Sequence, residues 1–452
     1  MIIEGGCGTV PSTLDSDEGI MYKYEIEGGF PIKGTVRASG NKNAALPCIA
    51  ATLLTREAVV LRNIPDIEDV HVMFDILRSL GAAVEQLGPN EWRVEARGGL
   101  ASEVPAGQAG RIRAAILFAG PLLARTGKVT LAPPGGDVIG RRRLDTHFLA
   151  LEELGAKVEI DKNYTFTAPR LAGTDIFLDE ASVTATENAI MSAALAKGTT
   201  ILRNAASEPH VQDLCRLINA MGGKVSGIGS NILSIEGAEH LHGAEFAIGP
   251  DFMEIGSFIG LAAVTRGELT LENVVPNDLR MMRIAYAKLG IRWEIEGSTL
   301  HVPAGQAMAV NPDFGGQIPK IDDAPWPGFP PDLTSIITVI ATQVEGTVLV
   351  HEKMFESRMF FVDKLIGMGA RIVLCDPHRA VVSGPAKLNG STLVSPDVRA
   401  GMAMVIAAMC AKGRSTIHNV YQIERGYEHL TERLTRLGAR ITRLQDTGSR
   451  GS

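Results

Sequence analysis

The stretch LGAKVEI at residues 154–160 decides the fold, because a stretch of this form occurs six times along the chain. An apolar residue followed by glycine is the usual way to end a helix, and the β-prone run after it predicts a short strand. The other copies are LGAAVE from Leu80, MGGKVS from Met221, LGIRWEI from Leu289, MGARIVL from Met368 and LGARIT from Leu437. Successive copies lie roughly seventy residues apart, and such a period indicates a repeat architecture.

A second pattern precedes each copy and completes the repeated unit. An apolar, alanine-rich stretch with the length of a helix is followed by a β-rich run, such as GKVTLAP from Gly127 or GELTLEN from Gly267. The predicted first helices of the units are residues 43–54, 112–124, 186–196, 254–264, 333–343 and 398–411. Each unit therefore reads helix, strand, loop, helix, strand, and this alternation predicts an α/β fold.

The composition restricts the class of protein. A length of 452 residues predicts two or three domains, and 45% apolar residues are enough for their cores. The net charge of −7 argues against nucleic acid or an anionic membrane as the main partner. The five scattered cysteines form no CxxC pair, which is typical of reduced thiols and not of a disulfide framework or zinc site. No signal peptide or membrane span is visible, so the sequence predicts a cytoplasmic protein.

Polar and charged residues stand at the predicted N-termini of all six apolar helices. If three units pack into each domain, these N-termini point toward a shared cleft, where N–H groups and the helix dipole favour anions. Capping explains the Ser, Thr and Asp residues at these points. It does not explain Lys42, Arg113 and Arg399, because cations oppose the dipole at this end. We interpret them as ligands of a bound anion, with an incidental solvated charge as the alternative.

The loop PPGGDVIGRRR at residues 133–143 is the other distinctive element. Its glycines permit a mobile and tightly turned backbone, and its three arginines suit phosphate through forked hydrogen bonds. A loop rich in Gly and Arg can equally be a solvated turn. Arg358 and Arg425 follow the corresponding strands of the fifth and sixth units, which favours a position for both in the same cleft.

Seven motifs together resemble the enolpyruvyl transferase superfamily, over residues 21–444. They are SGNKNAALP from Ser39, PGGDVIGRR from Pro134, SVTATENAIMSAA from Ser182, FPPDLTS from Phe329, FESRMF from Phe355, PDVRA from Pro396 and IERGYE from Ile423. Within the superfamily, the chain looks like the branch that uses UDP-N-acetylglucosamine. The branch that makes 5-enolpyruvylshikimate 3-phosphate lacks the mobile PGG loop.

The resemblance implies a two-domain, inside-out α/β barrel of six repeated helix-strand-helix-strand units. Residues 42–249 would form one domain, which carries the mobile loop, and residues 21–41 with 250–445 would form the other. The substrate cleft would lie between them. Residues 1–20 would be an N-terminal extension and residues 446–452 a tail, both without regular structure.

The resemblance also implies a reaction, in which the enolpyruvyl group of phosphoenolpyruvate passes to the 3-hydroxyl of UDP-N-acetylglucosamine and phosphate is released. This is the first committed step of peptidoglycan synthesis. No cofactor, metal or obligate protein partner is implied.

Site residues follow from the same motifs. Asp137, Asp332, Lys42 and Asp397 would be catalytic: Asp137 as proton donor, Asp332 as the group that takes the hydroxyl proton, and Asp397 as an aid to proton removal. The residues expected to bind substrate are Lys42, Arg142 and Arg425, supported by Arg113 and Arg399, for phosphoenolpyruvate; Asn43 and Asp332 for the sugar; Ser182 and Val183 for the nucleotide; and Arg143, Met354, Phe355 and Arg358 around them.

Asp137 stands where most members of this branch carry a cysteine that acts as an acid and reacts with fosfomycin. A carboxylate is not readily alkylated, so we predict native fosfomycin resistance. An unperturbed aspartate has a pKa near 4, so its pKa must rise before Asp137 can donate a proton at neutral pH. The alternative is that Asp137 is a solvated turn residue.

Several positions depart from the pattern of the branch and leave the acceptor open. They are Arg143, Thr146, Thr184, Phe252, Met253, Pro331 and Gln422. Two alternatives follow: enolpyruvyl transfer to another nucleotide or nucleotide sugar, and a non-catalytic paralogue that binds a UDP-sugar. An RNA 3′-phosphate cyclase, which has a related repeat unit, is disfavoured by the acidic charge and the lack of a suitable histidine.

Overall fold

The secondary structure is that of a mixed α/β protein. The computed structural model describes residues 21–136 and 143–447, and its elements lie within these ranges. The strands are β1 (Tyr22–Glu27), β2 (Lys33–Arg37), β3 (Ala58–Arg62), β4 (Ala83–Gly88), β5 (Glu91–Glu95), β6 (Glu103–Val104), β7 (Lys128–Leu131), β8 (Lys157–Ile160), β9 (Tyr164–Thr167), β10 (Asp175–Phe177), β11 (Thr199–Arg203), β12 (Lys224–Ser226), β13 (Ile232–Glu236), β14 (Ala244–Ala247), β15 (Glu268–Glu272), β16 (Glu294–Glu296), β17 (Thr299–Val302), β18 (Lys320–Asp322), β19 (Gly346–His351), β20 (Arg371–Asp376), β21 (Arg379–Gly384), β22 (Thr392–Val394), β23 (Arg414–His418) and β24 (Arg440–Gln445).

Helices alternate with these strands. The α-helices are α1 (Lys42–Ala51), α2 (Glu68–Ser79), α3 (Ala106–Ala109), α4 (Ala119–Thr126), α5 (Asp145–Glu153), α6 (Val183–Ala193), α7 (Pro209–Ala220), α8 (Phe252–Val264), α9 (Arg280–Ala287), α10 (Thr334–Ala341), α11 (Val362–Gly367), α12 (Val398–Cys410), α13 (Tyr421–Glu424) and α14 (Leu430–Arg436). Short 3-10 turns cover Thr52–Leu54, Arg113–Phe118, Pro276–Leu279, Phe314–Gly316 and Pro331–Leu333. None of the described helices is long and apolar enough to cross a membrane.

The predicted glycine at the end of each second helix is confirmed at all six copies. Each of these glycines follows the apolar last residue and adopts the left-handed backbone that L side chains avoid. The φ angles are 96° at Gly81, 97° at Gly155, 88° at Gly222, 73° at Gly290, 106° at Gly369 and 92° at Gly438. The six-unit repeat is therefore a property of the backbone as well as of the sequence.

The predicted first helices are present in all six units, with boundaries within three residues of those predicted. Helix α6 begins at Val183, three residues early, because the Ser182 hydroxyl accepts a hydrogen bond from the backbone of Ala185. The helices predicted at residues 112 and 333 open with 3-10 turns and continue as α4 and α10. In the second case Pro331 fits the first turn, which needs no backbone donor.

Three of the six four-stranded sheets in the described residues belong to residues 42–249, hereafter the first half. Their strand orders are β14-β3-β5-β4, β6-β7-β9-β8 and β10-β11-β13-β12. In each sheet the outer strand delivered by the preceding unit runs parallel to its neighbour, as β6 does to β7. Strand β14 of the third unit pairs with β3 of the first, with Ala244 opposite Val59. The three units therefore close into a ring.

The other three sheets belong to residues 21–41 and 250–447, hereafter the second half. Their strand orders are β16-β17-β15-β2, β18-β19-β21-β20 and β22-β23-β1-β24. Strand β2 runs parallel to β15, and β1 lies between β23 and β24, antiparallel to both. Two sheets of this half are thus completed by strands from the beginning of the chain.

The first helices form the inside of each ring and the sheets the outside. All thirteen residues of α8 and all but one of α12 are buried, and a helix apolar on every side belongs in a core. The strands instead alternate between buried and solvent-facing positions, as in β11. The predicted inside-out barrel of repeated units is confirmed.

Each half has its own hydrophobic core. One core is built from residues between Ala44 and Ile248, and the other from residues between Tyr24 and Ala38 and between Phe252 and Ile441. Two adjacent chain crossings join the halves, where the amide of Asn41 donates to Gly249 at 2.8 Å and that of Asp251 donates to Ser39 at 2.8 Å. We propose that the halves are the two domains predicted from the sequence.

Candidate active site

A cleft of about 610 Å³ lies between the two halves, where the N-termini of the first helices converge. Its lining contains every predicted site residue that the structure describes. These are Lys42, Asn43, Arg113, Arg143, Ser182, Val183, Asp332, Met354, Phe355, Arg358, Asp397, Arg399 and Arg425. Asp137 and Arg142, also predicted, lie outside the described residues. The sequence pattern thus identified residues that lie in one cleft although more than half of the chain separates them.

Lys42 and Arg425 meet at a buried carboxylate that the sequence reasoning missed. Lys42 is the first residue of α1, and its Nζ lies 2.7 Å from Asp69 Oδ2. Arg425 comes from the other half, and its Nε lies 2.8 Å from Asp69 Oδ1. Burial alone would raise the pKa of Asp69, but the two cations outweigh burial and hold the pKa below its ordinary value. An ionised Asp69 therefore joins the two halves at the cleft.

A second carboxylate, Asp332, is held by two arginines of the second half. Arg358 Nη2 lies 2.9 Å from Oδ1, and Arg399 Nε lies 3.1 Å from Oδ2. Burial opposes ionisation of Asp332, but Arg358 and then Arg399 reverse that effect, so its pKa lies well below the usual range. In this arrangement Asp332 is an ionised and poorly basic group.

Arg399 keeps unused hydrogen-bonding capacity. Its Nη1 is buried and finds no acceptor in the described part of the chain. Its guanidinium lies 5.3 Å from the centre of the Tyr427 ring. A buried guanidinium with a spare donor beside a cleft is suited to a planar anion such as a carboxylate.

Asp397 caps the helix that carries Arg399. Its Oδ1 accepts hydrogen bonds from the backbone N–H groups of Arg399 at 2.8 Å and Ala400 at 2.9 Å. The capping interpretation therefore holds for Asp397, and its cap fixes the start of α12 at the cleft. The predicted role of Asp397 in proton removal remains a prediction.

Met354 and Phe355 form part of the cleft wall, and the buried side chain of Glu352 holds their backbone in place. Glu352 Oε1 accepts the backbone N–H groups of Met354 at 3.3 Å and Phe355 at 3.2 Å. The Arg358 guanidinium lies 5.1 Å from the centre of the Phe355 ring, which gives a cation–π contact. This wall therefore positions the arginine that holds Asp332.

Both ends of the PGGD loop attach near Arg113. The amide of Gly135 donates to Ala109 at 3.2 Å, and a Cβ at Gly135 would lie only 1.8 Å from the Gly110 carbonyl oxygen. On the far side, Arg113 Nη2 donates to the carbonyl of Arg143 at 3.2 Å. Arg143 itself contacts Asp145, with Nη2 2.8 Å from Oδ1. Gly136 and Arg143, the described residues on either side of residues 137–142, therefore both lie at the edge of the cleft.

Two departures from the branch pattern, Thr184 and Thr146, have separate polar partners. The Thr184 hydroxyl lies 3.0 Å from His147 Nε2, and His147 Nδ1 lies 2.9 Å from the Asn188 amide. The Thr146 hydroxyl donates to Asp179 at 2.8 Å. Burial, with the nearby charge of Arg113, lowers the pKa of His147 to about 3, so this histidine is neutral. Thr184 therefore has a structural partner that the sequence did not indicate.

Comparisons with known proteins agree with this geometry. Residues 26–434 match the family described as EPSP synthase (3-phosphoshikimate 1-carboxyvinyltransferase). A relative in Treponema denticola, 69% identical over 93% of this chain and 99% of its own, is named UDP-N-acetylglucosamine 1-carboxyvinyltransferase. A relative in Bradyrhizobium diazoefficiens with the same name is 56% identical over 94% of this chain and 99% of its own.

Solved structures resemble the whole fold. The enolpyruvyl transferase NikO from Streptomyces tendae is 25% identical, with a TM-score of 0.83 over 94% of this chain and 99% of its own. An EPSP synthase from Acinetobacter baumannii is 18% identical, with a TM-score of 0.72 over 94% of this chain and all of its own, and shares the fold.

The ring of repeats and the cation-lined cleft are those of an enolpyruvyl transferase. The chain belongs to the EPSP synthase family of enolpyruvyl transferases. Within that family, the relatives that are 48% to 69% identical to it carry the name UDP-N-acetylglucosamine 1-carboxyvinyltransferase. The family predicted from the sequence motifs is confirmed.

Proposed function

We propose that the chain transfers the enolpyruvyl group of phosphoenolpyruvate to the 3-hydroxyl of UDP-N-acetylglucosamine, with release of phosphate. The observation that supports this most strongly is the pairing of two cation clusters in one cleft, Lys42 with Arg425 and Arg358 with Arg399. Phosphoenolpyruvate carries two anionic groups, and two clusters match that number. The names of the relatives at 48% to 69% identity support the nucleotide sugar as acceptor.

Internal carboxylates pair with both cation clusters. Asp69 forms ion pairs with Lys42 and Arg425, and Asp332 forms an ion pair with Arg399. Lys42 and Arg425 would take the phosphate, together with Arg142 and Arg113, and Arg399 would take the carboxylate through its spare donor. Because the cluster is already assembled by Asp69, little reorganisation is needed when the substrate binds.

Substrate binding would also change Asp332 from an ion-pair partner into a base. Its pKa is low because Arg358 and Arg399 hold it. A substrate carboxylate that shares Arg399 would weaken this hold and raise the pKa of Asp332, so its basicity would rise when it is needed. Asp332 would then take the proton from the acceptor hydroxyl, while Asn43 and the Ser182–Val183 segment hold the nucleotide sugar.

The bonds of the reaction balance with Asp137 as the acid, Asp332 as the base for the acceptor hydroxyl and Asp397 as an aid to the last proton removal. Asp137 would protonate the methylene carbon of phosphoenolpyruvate, and the acceptor oxygen would bond to the adjacent carbon as its proton leaves to Asp332. The resulting ketal would lose a proton from its methyl group, assisted by Asp397, while its carbon–oxygen bond to phosphate breaks. The enolpyruvyl ether and inorganic phosphate remain. Such a product would serve peptidoglycan synthesis, and we expect the enzyme to act in the cytoplasm.

Transfer to another nucleotide or nucleotide sugar is the second candidate. The change at Thr184 lies two residues after Ser182 in the lining of the cleft, where the nucleotide would bind. A non-catalytic paralogue is disfavoured because Lys42, Arg399 and Arg425 are retained in ordered contacts.

Phosphate release from phosphoenolpyruvate tests the proposal directly. The purified protein should release phosphate with UDP-N-acetylglucosamine and not with shikimate 3-phosphate, UMP or no acceptor. Release with one of the other acceptors alone would overturn the assignment of the acceptor. No release with any of them would overturn the proposed activity.

A further inference from the structure

Three buried polar side chains in the cleft have no role in the chemistry described above. Glu187 lies on α6, and Glu208 and His210 lie at the start of α7, all in the first half. All three line the cleft. Each has a buried atom, Oε1 of Glu187, Oε2 of Glu208 and Nδ1 of His210, that finds no hydrogen-bond partner in residues 21–136 and 143–447.

Unpartnered buried polar atoms are costly, so three in one place require an explanation. Glu187 is 1% exposed and His210 is 3% exposed, so neither is compensated by bulk solvent. Burial raises the pKa of Glu187, and the nearby Glu208 raises it further. The first half therefore loses stability at this position, which is a common feature of binding sites.

His210 is held in a fixed orientation by rings from the second half. Its ring stacks on Phe252 with centroids 6.3 Å apart and planes 12° apart. Phe252 in turn contacts Trp326 at 5.6 Å, nearly edge to face. The Ser207 hydroxyl, next to Glu208, lies 3.5 Å from the carbonyl oxygen of Trp326. Phe252 is one of the residues that differ from the pattern of the branch. Its contacts in this cluster give it a packing function.

The chemistry of the three groups indicates which substrate they face. Neither carboxyl group offers a positive charge to a doubly anionic molecule, so phosphoenolpyruvate does not suit them. Carboxyl oxygens suit hydroxyl and amide donors. His210 lies close enough to Asp332 and Arg399 for their charges to act on its ring, and Asp332 is the expected base for the acceptor hydroxyl. A sugar ring that presents its hydroxyl to Asp332 therefore lies beside His210.

We propose that Glu187, Glu208 and His210 form a hydrogen-bonding subsite for the sugar ring of the acceptor, and that they take its hydroxyl or amide N–H groups other than the reacting hydroxyl. This subsite deepens the proposed function and rests on it. The aromatic contact to Phe252 makes the subsite complete only when the two halves are together. His210 is a specificity-determining residue in this arrangement, because its Nδ1 has no other hydrogen-bond partner among the residues that the structure describes.

The test uses His210→Phe, which keeps a ring on Phe252 and removes both nitrogens. The dissociation constant for UDP-N-acetylglucosamine, measured by calorimetry, should rise roughly tenfold, because a buried hydrogen bond of about 1.4 kcal/mol is lost. The dissociation constant for UDP and the KM for phosphoenolpyruvate should stay within about twofold of the unmodified protein. The exposed His240→Phe is the matched control and should change none of these values.

A second variant separates a ligand-binding role from a structural role. Glu187→Met keeps the length of the side chain and removes the unpartnered carboxyl group, so it should raise the melting temperature while it weakens the binding of UDP-N-acetylglucosamine. A lower melting temperature with unchanged binding would overturn the subsite. Equal weakening of UDP and UDP-N-acetylglucosamine by His210→Phe would also overturn it. Phosphate release by the unmodified protein tests the proposed function separately, so the two failures remain distinguishable.

Discussion

The buried carboxylate of Asp69 gives the sharpest test of how the cleft is assembled. Asp69→Asn would leave Lys42 and Arg425 facing a neutral amide at distances of 2.7 Å and 2.8 Å. The side chains of Lys42 and Arg425 are only 11% and 7% exposed, so water compensates little. Removal of one partner from a buried ion pair costs about 3–5 kcal/mol. For a domain of this size, that loss corresponds to a decrease in melting temperature of roughly 6–20 °C.

The dependence on pH has a definite sign. The pKa of Asp69 in the folded protein is below the ordinary value of 3.8, so its contribution to stability is complete above that value and is lost as the pH falls through the folded pKa. The difference in melting temperature between the two proteins should therefore be constant near neutral pH and should shrink in acid.

Inorganic phosphate provides the assay that distinguishes an anion site from a simple structural contact. In the variant, phosphate should take the place of the missing carboxylate between the two cations, so it should raise the melting temperature more than in the unmodified protein. The reasoning is refuted if the variant melts at the unmodified temperature, or if phosphate raises both melting temperatures equally. Arg62→Gln, at an exposed ion pair, is a suitable control and should change stability by less than about 1 kcal/mol.

Three further predictions follow from other residues of the cleft. The pKa of the buried His147 is lowered to about 3, so between pH 6.5 and about 3 the unfolded chain binds a proton at this residue that the folded protein does not, and stability falls with pH. His147→Asn should therefore reduce the loss of stability over this range. Equal acid denaturation curves for the two proteins would contradict this. Asp332→Asn should lower the turnover of phosphoenolpyruvate by roughly 10²–10⁴-fold, as expected for a lost general base, with the binding of the nucleotide sugar measured alongside; near-normal turnover would exclude that role. Asp137→Cys should make the enzyme sensitive to fosfomycin in an inhibition assay and Asp137→Ala should abolish turnover; an insensitive cysteine variant together with an active alanine variant would show that Asp137 is not the acid.

The sequence predicted the repeat and most of the cleft for physical reasons that are local. The left-handed glycine after an apolar helix end can be recognised at Gly155 from the local sequence, without knowledge of the residues that surround it in the fold. Lys42 and Arg399 were recognisable because a cation at a helix N-terminus needs an anion, whether a substrate or an internal carboxylate.

The residues that the sequence did not reveal are those whose local setting looks ordinary. Asp69 lies in the first turn of α2, where the helix dipole alone accounts for an acidic residue. The contact of His147 with Thr184 joins residues 37 positions apart, and no short motif marks it. Glu187 reads as a polar residue within an apolar helix, and only the packed structure shows that its carboxyl is buried and unpartnered.

The insertion of β1 between β23 and β24 has a consequence for synthesis on the ribosome. Residues 42–249 emerge as an uninterrupted segment whose three sheets need no later strand. Strand β1 emerges before them, yet Tyr24 must wait for Ile417 and Arg443 before it is paired on both sides. The growing chain can thus fold its middle while its beginning remains an open strand, exposed to wrong partners. The cleft gains its full set of cations only when Arg425 arrives, so catalytic competence is the last property that the nascent chain acquires.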